Sequence, residues 1–518
     1  MSAVCEFYAN RSILITGATG FLGKVLVEKF LRSVPDVKTL FLLIRSHKGQ
    51  DASKRLEGIL VSKLFDRIRK ECPQNLSKLV AIDGDLMQPQ LGLSDTDVER
   101  LRNEVSVVIH CAATIKFDEA LRVSVGMNVL GTQRLIALCQ TMDKLVAFVH
   151  ASTAYANCDR SHIVEMVYPP PVQPQKLVEA LDWMNDDMLA SLTPQLIGRR
   201  PNTYTYTKAL AEYMLVEESG HLPVTIVRPS IIGATWHEPT PGWVDNLNGP
   251  TGLFAAVGKG VLRSMCGNLN AVADIVPVDV VSNLLIVAAW HRAVSSSDTV
   301  PVINCCSGRV NPLKWSRVLK SFELFEQYPL ENCVRLPYPR FTMNRYWRNF
   351  NILIDHALPA YFADLFMKMF GKKPRFVRLW NKVEKAVDTL EYFTTREWDF
   401  QTKSMVDMWN QMKPEDQMLF NYDMRQSGFN WDQYLEMYIL GVKKFILNEQ
   451  LSNLPQARKA YKKLQLYSTA LNITAAAVVV RVLVRRSAIF RRWWFYFITC
   501  LAAMWRWMRS NMLSIKSS

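Results

Sequence analysis

Ser12-Ile-Leu-Ile-Thr-Gly17-Ala-Thr19-Gly20-Phe21-Leu22-Gly23-Lys24 decides the fold. Four residues of apolar, β-branched character run into three glycines, and a helical pattern follows over Leu22–Ser33. This order, strand then tight turn then helix, is the one that cradles a pyrophosphate. Gly17 permits the turn, Gly20 lets the backbone approach a phosphate, and Gly23 allows the helix to pack closely on the strand. The phosphates would then lie at the helix N-terminus, where free N–H groups and the dipole favour negative charge. Thr19, Phe21 and Leu22 complete this candidate cofactor loop.

Working outward, strand-like runs recur at Thr39–Ile44, Lys78–Asp83, Val105–His110, Val146–Ser152 and Val224–Arg228, with helical patterns such as Asn128–Met142 between them. Such alternation predicts an α/β fold, a doubly wound parallel sheet of the Rossmann kind with helices on both faces. A Pro- and Val-rich stretch, Val167–Gln175, interrupts it, and polar helix-like residues follow to Arg200. From about residue 341 the texture changes to aromatic, Met-containing helical patterns: Tyr361–Phe370, Val377–Phe393, Lys403–Gln411 and Trp431–Phe445. The expected organisation is therefore a dinucleotide-binding catalytic domain over 1–340, a helical domain over 341–452, and a tail over 453–518. The tail opens with a polar hinge, Asn453–Lys463, before two apolar segments, 464–484 and Trp493–Trp505.

The charge is uneven. Of the net +15, residues 451–518 contribute 12 Lys or Arg and no Asp or Glu, which leaves 15 − 12 = +3 for the rest. Basic residues mixed with Trp and aliphatic residues point to a membrane surface rather than to nucleic acid. Thirteen uncharged residues in the second segment are short of the ~20 that a bilayer span needs. The tail reads as one span plus an interfacial helix, as a helical hairpin, or as a buried helix pair. The ten cysteines contain no CxxC pair, so neither a metal site nor a disulfide framework is expected. The N-terminus lacks the regions of a secretory leader.

The second strand ends at Arg45, about 20 residues past the glycines. An acidic residue there would hold ribose hydroxyls, whereas an arginine pairs with a 2′-phosphate. Arg45, helped by Ser46 and Lys48, therefore argues for NADPH, although a strand-end arginine is also an ordinary solvated residue. Asp85 and Leu86 follow the third strand where an adenine would lie, and Ala112 and Pro229 follow later strands beside the cofactor.

Tyr204-Thr-Tyr-Thr-Lys208 places Tyr204 and Lys208 on one face of a helix. A phenol with an ordinary pKa near 10 relays protons poorly unless a cation stands near, and Lys208 supplies one. The pair resembles that of short-chain-dehydrogenase-like enzymes, which implies that Lys208 also bonds the cofactor's ribose. Ser152 and Thr153 end an earlier strand, and either hydroxyl can polarise a carbonyl. Tyr206 lacks a lysine four residues on. Tyr155 reads as packing or as a substrate wall. Cys158 has no base in its sequence context, so an acyl-cysteine is not expected.

These motifs resemble those of the alcohol-forming fatty acyl-CoA reductases, most of all the animal, peroxisome-associated members. The matching runs are Thr16–Lys24, His110–Asp118, Ser152–Cys158, Pro201–Glu212, Val227–Ser230 and Pro241–Asp245, with Leu390–Phe393 and Asn421–Asp423 in the helical part. The resemblance implies an extended short-chain-dehydrogenase-like enzyme. It would reduce long-chain acyl-CoA to a primary alcohol with two NADPH, by way of a hemithioacetal and an aldehyde. Tyr204 would give the proton, with Lys208 holding it and Thr153 or Ser152 orienting the carbonyl. It also implies a place on the peroxisome membrane, a C-terminal anchor in contact with membrane lipid, a catalytic part facing the cytosol, and a supply of alcohol for ether lipids and wax esters. Homo-oligomerisation is left open. The rivals are another extended dehydrogenase, acting on a sterol or a nucleotide sugar, and a non-catalytic, membrane-tethered NADPH-binding scaffold.

Overall fold

The computed structural model describes residues 2–515 apart from 48, 296, 298, 426 and 427, with side chains to residue 508. Seven parallel strands form the central sheet: β1 (Ser12–Thr16), β2 (Thr39–Ile44), β3 (Leu79–Asp83), β4 (Val105–His110), β5 (Ala147–Ala151), β6 (Val224–Pro229) and β7 (Val302–Cys305). Their order is β7-β6-β5-β4-β1-β2-β3. Successive strands lie on either side of β1, so the order reverses between β1 and β4, and this is where a doubly wound sheet opens a ligand crevice. β1, β4 and β5 are buried throughout, which is why they read as unbroken apolar runs rather than as alternating ones. The expected strands are found to within a residue or two at each end. β7 was not anticipated: its four residues, Val-Ile-Asn-Cys, carry too short an apolar run to stand out.

Helices cover both faces. α1 (Phe21–Ser33) and α4 (Val278–Val294) pack together on one face. α2 (residues 121–139, with a π turn at Gly126–Leu130) and α3 (Thr203–Glu218) pack on the other. Each face has its own apolar core, and the polar-looking stretch before Arg200 folds as two helices, Pro174–Trp183 and Asp186–Ile197.

The C-terminal helices include α5 (Phe376–Thr394) and α6 (Trp431–Gly441). α6 shares the α1/α4 core through Trp431, Tyr434, Leu435 and Tyr438. Its polar tips are satisfied in the sheet half of the molecule: Tyr434 Oη donates to the Ala234 carbonyl at 2.9 Å, and Trp431 Nε1 donates to the Asn311 carbonyl at 3.0 Å. At one point the two backbones touch. A Cβ added to Gly441 would overlap the Gly242 carbonyl, and Gly242 itself holds φ +74°. Short parallel pairings, His162–Ile163 with Asp399–Phe400 and Ser264–Cys266 with Arg340–Thr342, tie the halves together again.

The polar segment Asn453–Lys463, expected as a hinge, is instead the first part of a continuous helix. α7 (Leu454–Arg486) is helical from its polar start, anchored by buried Ala457 and Tyr461, and α8 (Ala488–Ile515) follows an extended break at Ser487. Among the described residues one helix, Leu451–Arg486, is long and apolar enough to cross a membrane.

Candidate active site

The loops that leave the C-terminal ends of β1, β4, β5 and β6 converge on one cavity of about 320 Å³. The glycine loop forms its floor. Gly17 has φ +74°, and a Cβ there would stand 2.7 Å from the Ala112 nitrogen; a Cβ on Gly23 would overlap the Gly17 carbonyl. Both glycines are therefore required by packing as well as by the turn. Gly20 meets no such obstacle beyond contact with the Gly17 carbonyl at 3.2 Å, so its open side remains free for a ligand. Gly20 caps α1 without a side-chain hydrogen bond, leaving the first-turn N–H groups unclaimed by side chains. This cradle fits a dinucleotide pyrophosphate. Two features brace it from outside: Phe21 stacks on Trp243 with ring centroids 5.5 Å apart, and Lys24 pairs with Asp245, both partners lying in the Pro241–Asp245 run.

Arg45 stands at the end of β2 with a half-exposed side chain, its Nη1 3.7 Å from the Asp85 carboxylate. Ser46 donates its hydroxyl and backbone N–H to Asp83. Lys48 lies outside the described residues. Asp85 accepts the Met87 N–H, and Leu86 is buried with its carbonyl accepting Arg134 Nη1 at 2.7 Å. These residues flank the sheet edge beyond the cavity. Thr19 is half-buried, and Ala112 bonds through its N–H to Thr16 Oγ1; neither lines the cavity.

Gly17, Gly20, Phe21, Leu22, Gly23, Ser152, Thr153, Tyr204, Lys208 and Pro229 do line it together. α3 begins with Asn202, whose side chain accepts the Thr205 N–H, and this cap sets Tyr204 in the first turn and Lys208 one turn on. Lys208 is buried and donates to the Ala151 carbonyl at 2.8 Å. Burial lowers its pKa to about 8, partly opposed by Cys111 and Glu212. Contrary to the lowering expected from Lys208, burial pushes the Tyr204 phenol up to about 12, opposed by its hydrogen bond with Thr153 and not by the lysine. Thr153 Oγ1 also accepts the Tyr155 N–H at 3.3 Å and donates to the Pro229 carbonyl at 3.5 Å. The Ser152 hydroxyl is buried with no hydrogen-bond partner among the described residues.

Sequence reasoning missed the brace behind this pair. Glu212, one turn past Lys208, takes a bidentate ion pair from Arg228 at 2.8 and 2.7 Å, both side chains being essentially sealed from solvent. Arg228 thus turns away from the cavity and pins α3 to β6. Asp279 lies in the first turn of α4 and accepts the N–H groups of Trp236, His237 and Glu238. Cys158 is a buried thiol whose pKa burial raises to about 11. The apolar wall was also only partly anticipated. Ile115, Phe117, Ile231 and Leu253 join Leu390 and Phe393 of α5, and Tyr155 packs edge-on against Phe393 at 5.1 Å. No pattern in a single chain brings residue 117 to residue 393.

Two family models, each described as "Male sterility protein", match the chain: an NAD-binding model over residues 15–285 and a second over 355–449. The chain is 46% identical to Fatty acyl-CoA reductase 1 of Mus musculus over 96% of its own length and 97% of that protein. It is 45% identical to the Homo sapiens protein of that name, and 43% identical to Fatty acyl-CoA reductase 2 of Mus musculus, with the same coverage. Among solved structures, the reductase domain of a nonribosomal peptide synthetase from Mycobacterium tuberculosis shares the fold at TM-score 0.57 and 18% identity, over 84% of this chain and 92% of that one. The terminal R domain of the myxalamid PKS-NRPS pathway gives TM-score 0.55 at 19% identity, over 84% and 90%. With a nicotinamide-nucleotide cradle, a Tyr–Lys helix facing it, and relatives that match nearly end to end, the chain belongs to the fatty acyl-CoA reductases.

Proposed function

We propose that the chain reduces long-chain acyl-CoA to the primary alcohol with NADPH as reductant, through two successive two-electron reductions and release of CoA. One observation carries the reading: the glycine cradle, the Tyr204–Lys208 pair and an apolar wall closed by Leu390 and Phe393 meet in a single cavity. A sugar substrate would need polar walls. The aromatic and aliphatic lining suits an acyl chain.

Gly17, Gly20 and Gly23 with the first turn of α1 would hold the pyrophosphate, Arg45 the 2′-phosphate, and Lys208 the nicotinamide ribose. The bound nicotinamide supplies hydride to the carbonyl carbon. Tyr204 gives its proton to the carbonyl oxygen, and its raised pKa keeps that proton in place at any working pH until the oxyanion develops. Thr153, already bonded to Tyr204, orients the oxygen, and Ser152 offers a second, unengaged hydroxyl beside it. Reduction of the thioester gives a hemithioacetal. Its C–S bond breaks with the electrons going to sulfur while the hydroxyl gives up its proton, so CoA leaves as the thiol, and the aldehyde that remains is reduced by the same groups once solvent has returned a proton to Tyr204. The tail suits substrates and products that partition into bilayers. Placement at the peroxisome membrane, a catalytic part facing the cytosol, and a role in ether lipid and wax ester supply are supported by the motif resemblance.

The test is stoichiometric. Full-length protein is given palmitoyl- or stearoyl-CoA, NADPH oxidation is followed, and products are identified by mass spectrometry. Two NADPH per alcohol is the expected result. One NADPH per accumulating aldehyde would overturn the four-electron course, and no turnover despite tight NADPH binding would overturn the substrate.

A further inference from the structure

Residues 345–370 form one nearly continuous helical run: Arg345–Ile352, a π turn at Leu353–Ala357, and Leu358–Met369. At 1.5 Å per residue it extends ~38 Å. Its protein-facing side is narrow and polar. His356 stacks on Trp380 with ring centroids 4.3 Å apart and accepts the Arg263 N–H at 2.9 Å. Asp364 is buried and accepts the N–H groups of Arg375, Phe376 and Val377, clamping the following loop and the start of α5.

The opposite side is the reverse of a normal surface. Phe350, Ile354, Leu358, Phe362, Phe366 and Phe370 recur every fourth residue and are 39–67% exposed. Tyr346 and Met369 beside them are 89% and 74% exposed. A helix in a soluble protein turns such a stripe inward, and an apolar surface this long marks a binding face. Its rim is of one charge. Lys368, Lys372, Lys373, Arg375, Arg378 and Lys382 fall between residues 365 and 383, where there is no Asp or Glu. The ion pairs of these helices engage Arg345, Arg348 and Lys385, and Asp355 pairs with Arg263, so among the described residues the exposed rim cations form no salt bridge.

We propose that this face is a second membrane contact, separate from the tail: the run 345–370 lies at the headgroup–acyl boundary of an anionic bilayer, and the loop 372–378 sits on its phosphates. An aromatic and aliphatic stripe whose C-terminal border is basic has the composition of an interfacial helix. The face is a convex helical surface rather than a groove, so it is shaped to lie on a plane. The same chain carries a helix able to span a membrane, which keeps this face near a bilayer. α5 then connects the two environments: Arg378 is at the basic end and Leu390 at the cavity wall, ~18 Å apart along the helix. This inference does not depend on the reductase reading.

A photo-crosslinking phenylalanine analogue at Phe362 tests it, in the full chain reconstituted into phosphatidylcholine vesicles with and without phosphatidylserine. The same analogue at Val61, 77% exposed and remote from this face, is the control. Lipid adducts at Phe362 should exceed those at Val61 and increase with phosphatidylserine. The pair K372Q/K373Q, both exposed and therefore harmless to folding, should lower the docked-to-undocked ratio by roughly 30-fold on anionic vesicles, about fivefold per cation. Adducts no more frequent than at Val61 would overturn the proposal. So would adducts mainly with a second copy of the chain, or lipid adducts indifferent to both phosphatidylserine and the lysine pair.

Discussion

Raising the pH through the titration of Lys208 should silence the enzyme, while that group's own contribution to stability grows. The lysine is buried, and removal from water lowers its pKa from 10.5 to about 8. It is then about nine-tenths protonated near pH 7 and about one-tenth near pH 9. If the ammonium is required to hold the cofactor ribose beside Tyr204, kcat/KM for NADPH should fall about tenfold per unit above pH ~8, because this parameter reports groups of the free enzyme. The stability effect has the opposite direction. The folded pKa is lower than the unfolded one, so between about pH 8 and 10.5 this site binds more proton in the unfolded chain, and its contribution to stability rises with pH. The gain from pH ~8 to ~9 is about 1 kcal/mol for this group alone. The buried thiols, such as Cys111 with a pKa of about 12, work against this gain from about pH 8 upward, because they ionise first in the unfolded chain; the Lys208 contribution is therefore read as the difference between the wild-type and Lys208→Met melts. Initial rates and thermal melts of the full chain in the same buffers separate the two. Lys208→Met should be inactive and should lose about 1 kcal/mol of the alkaline gain. A kcat/KM that stays flat to about pH 9.5 in folded protein would refute the assignment of Lys208.

Tyr204→Phe should lower kcat by roughly 10²–10⁴-fold with little change in NADPH affinity, because Lys208 is held by the Ala151 carbonyl and not by the phenol; fluorescence titration of the cofactor alongside turnover checks both. Thr153→Ala, which removes the hydroxyl bonded to Tyr204, should cost ~10²-fold in kcat. Ser152→Ala removes a buried, unpartnered hydroxyl, so its melting temperature should hold or rise, and a larger loss of kcat than in Thr153→Ala would exchange the two roles. Arg45→Glu should reduce kcat/KM with NADPH by roughly 10–100-fold while NADH turnover changes less, as measured by steady-state kinetics with each cofactor.

Much of the nucleotide half was legible because its signals are local. A buried parallel strand followed by three glycines in seven residues has few other readings, and a Tyr and a Lys four apart share a helix face in any helix. The parts that escaped notice depend on distant residues. Glu212 and Arg228 lie on different elements, and nothing in either segment announces a sealed ion pair. Tyr155, Phe393 and Trp398 become one aromatic cluster only after the chain has folded back. Asn453–Lys463 is polar because most of its helical surface faces water, and two inward residues, Ala457 and Tyr461, are too few to show a period. The stripe from Phe350 to Phe370 has the pattern of a core helix, and periodicity alone does not say whether the apolar face looks inward or outward.

The backbone contact between Gly242 and Gly441 limits how this chain can be rearranged. The helical segment that supplies Leu390 and Phe393 has the form of an exchangeable cassette for altering the apolar wall of the cavity. A graft joined near residue 341 would separate two glycines that have to match each other, and any side chain at either position would drive α6 off the loop that carries Trp243 and Asp245. Tyr434 and Trp431 would then lose their carbonyl partners, and Phe21 and Lys24 would lose the brace of the glycine loop. Chimeras should therefore succeed only when both glycines and the 234–249 loop travel with the helices.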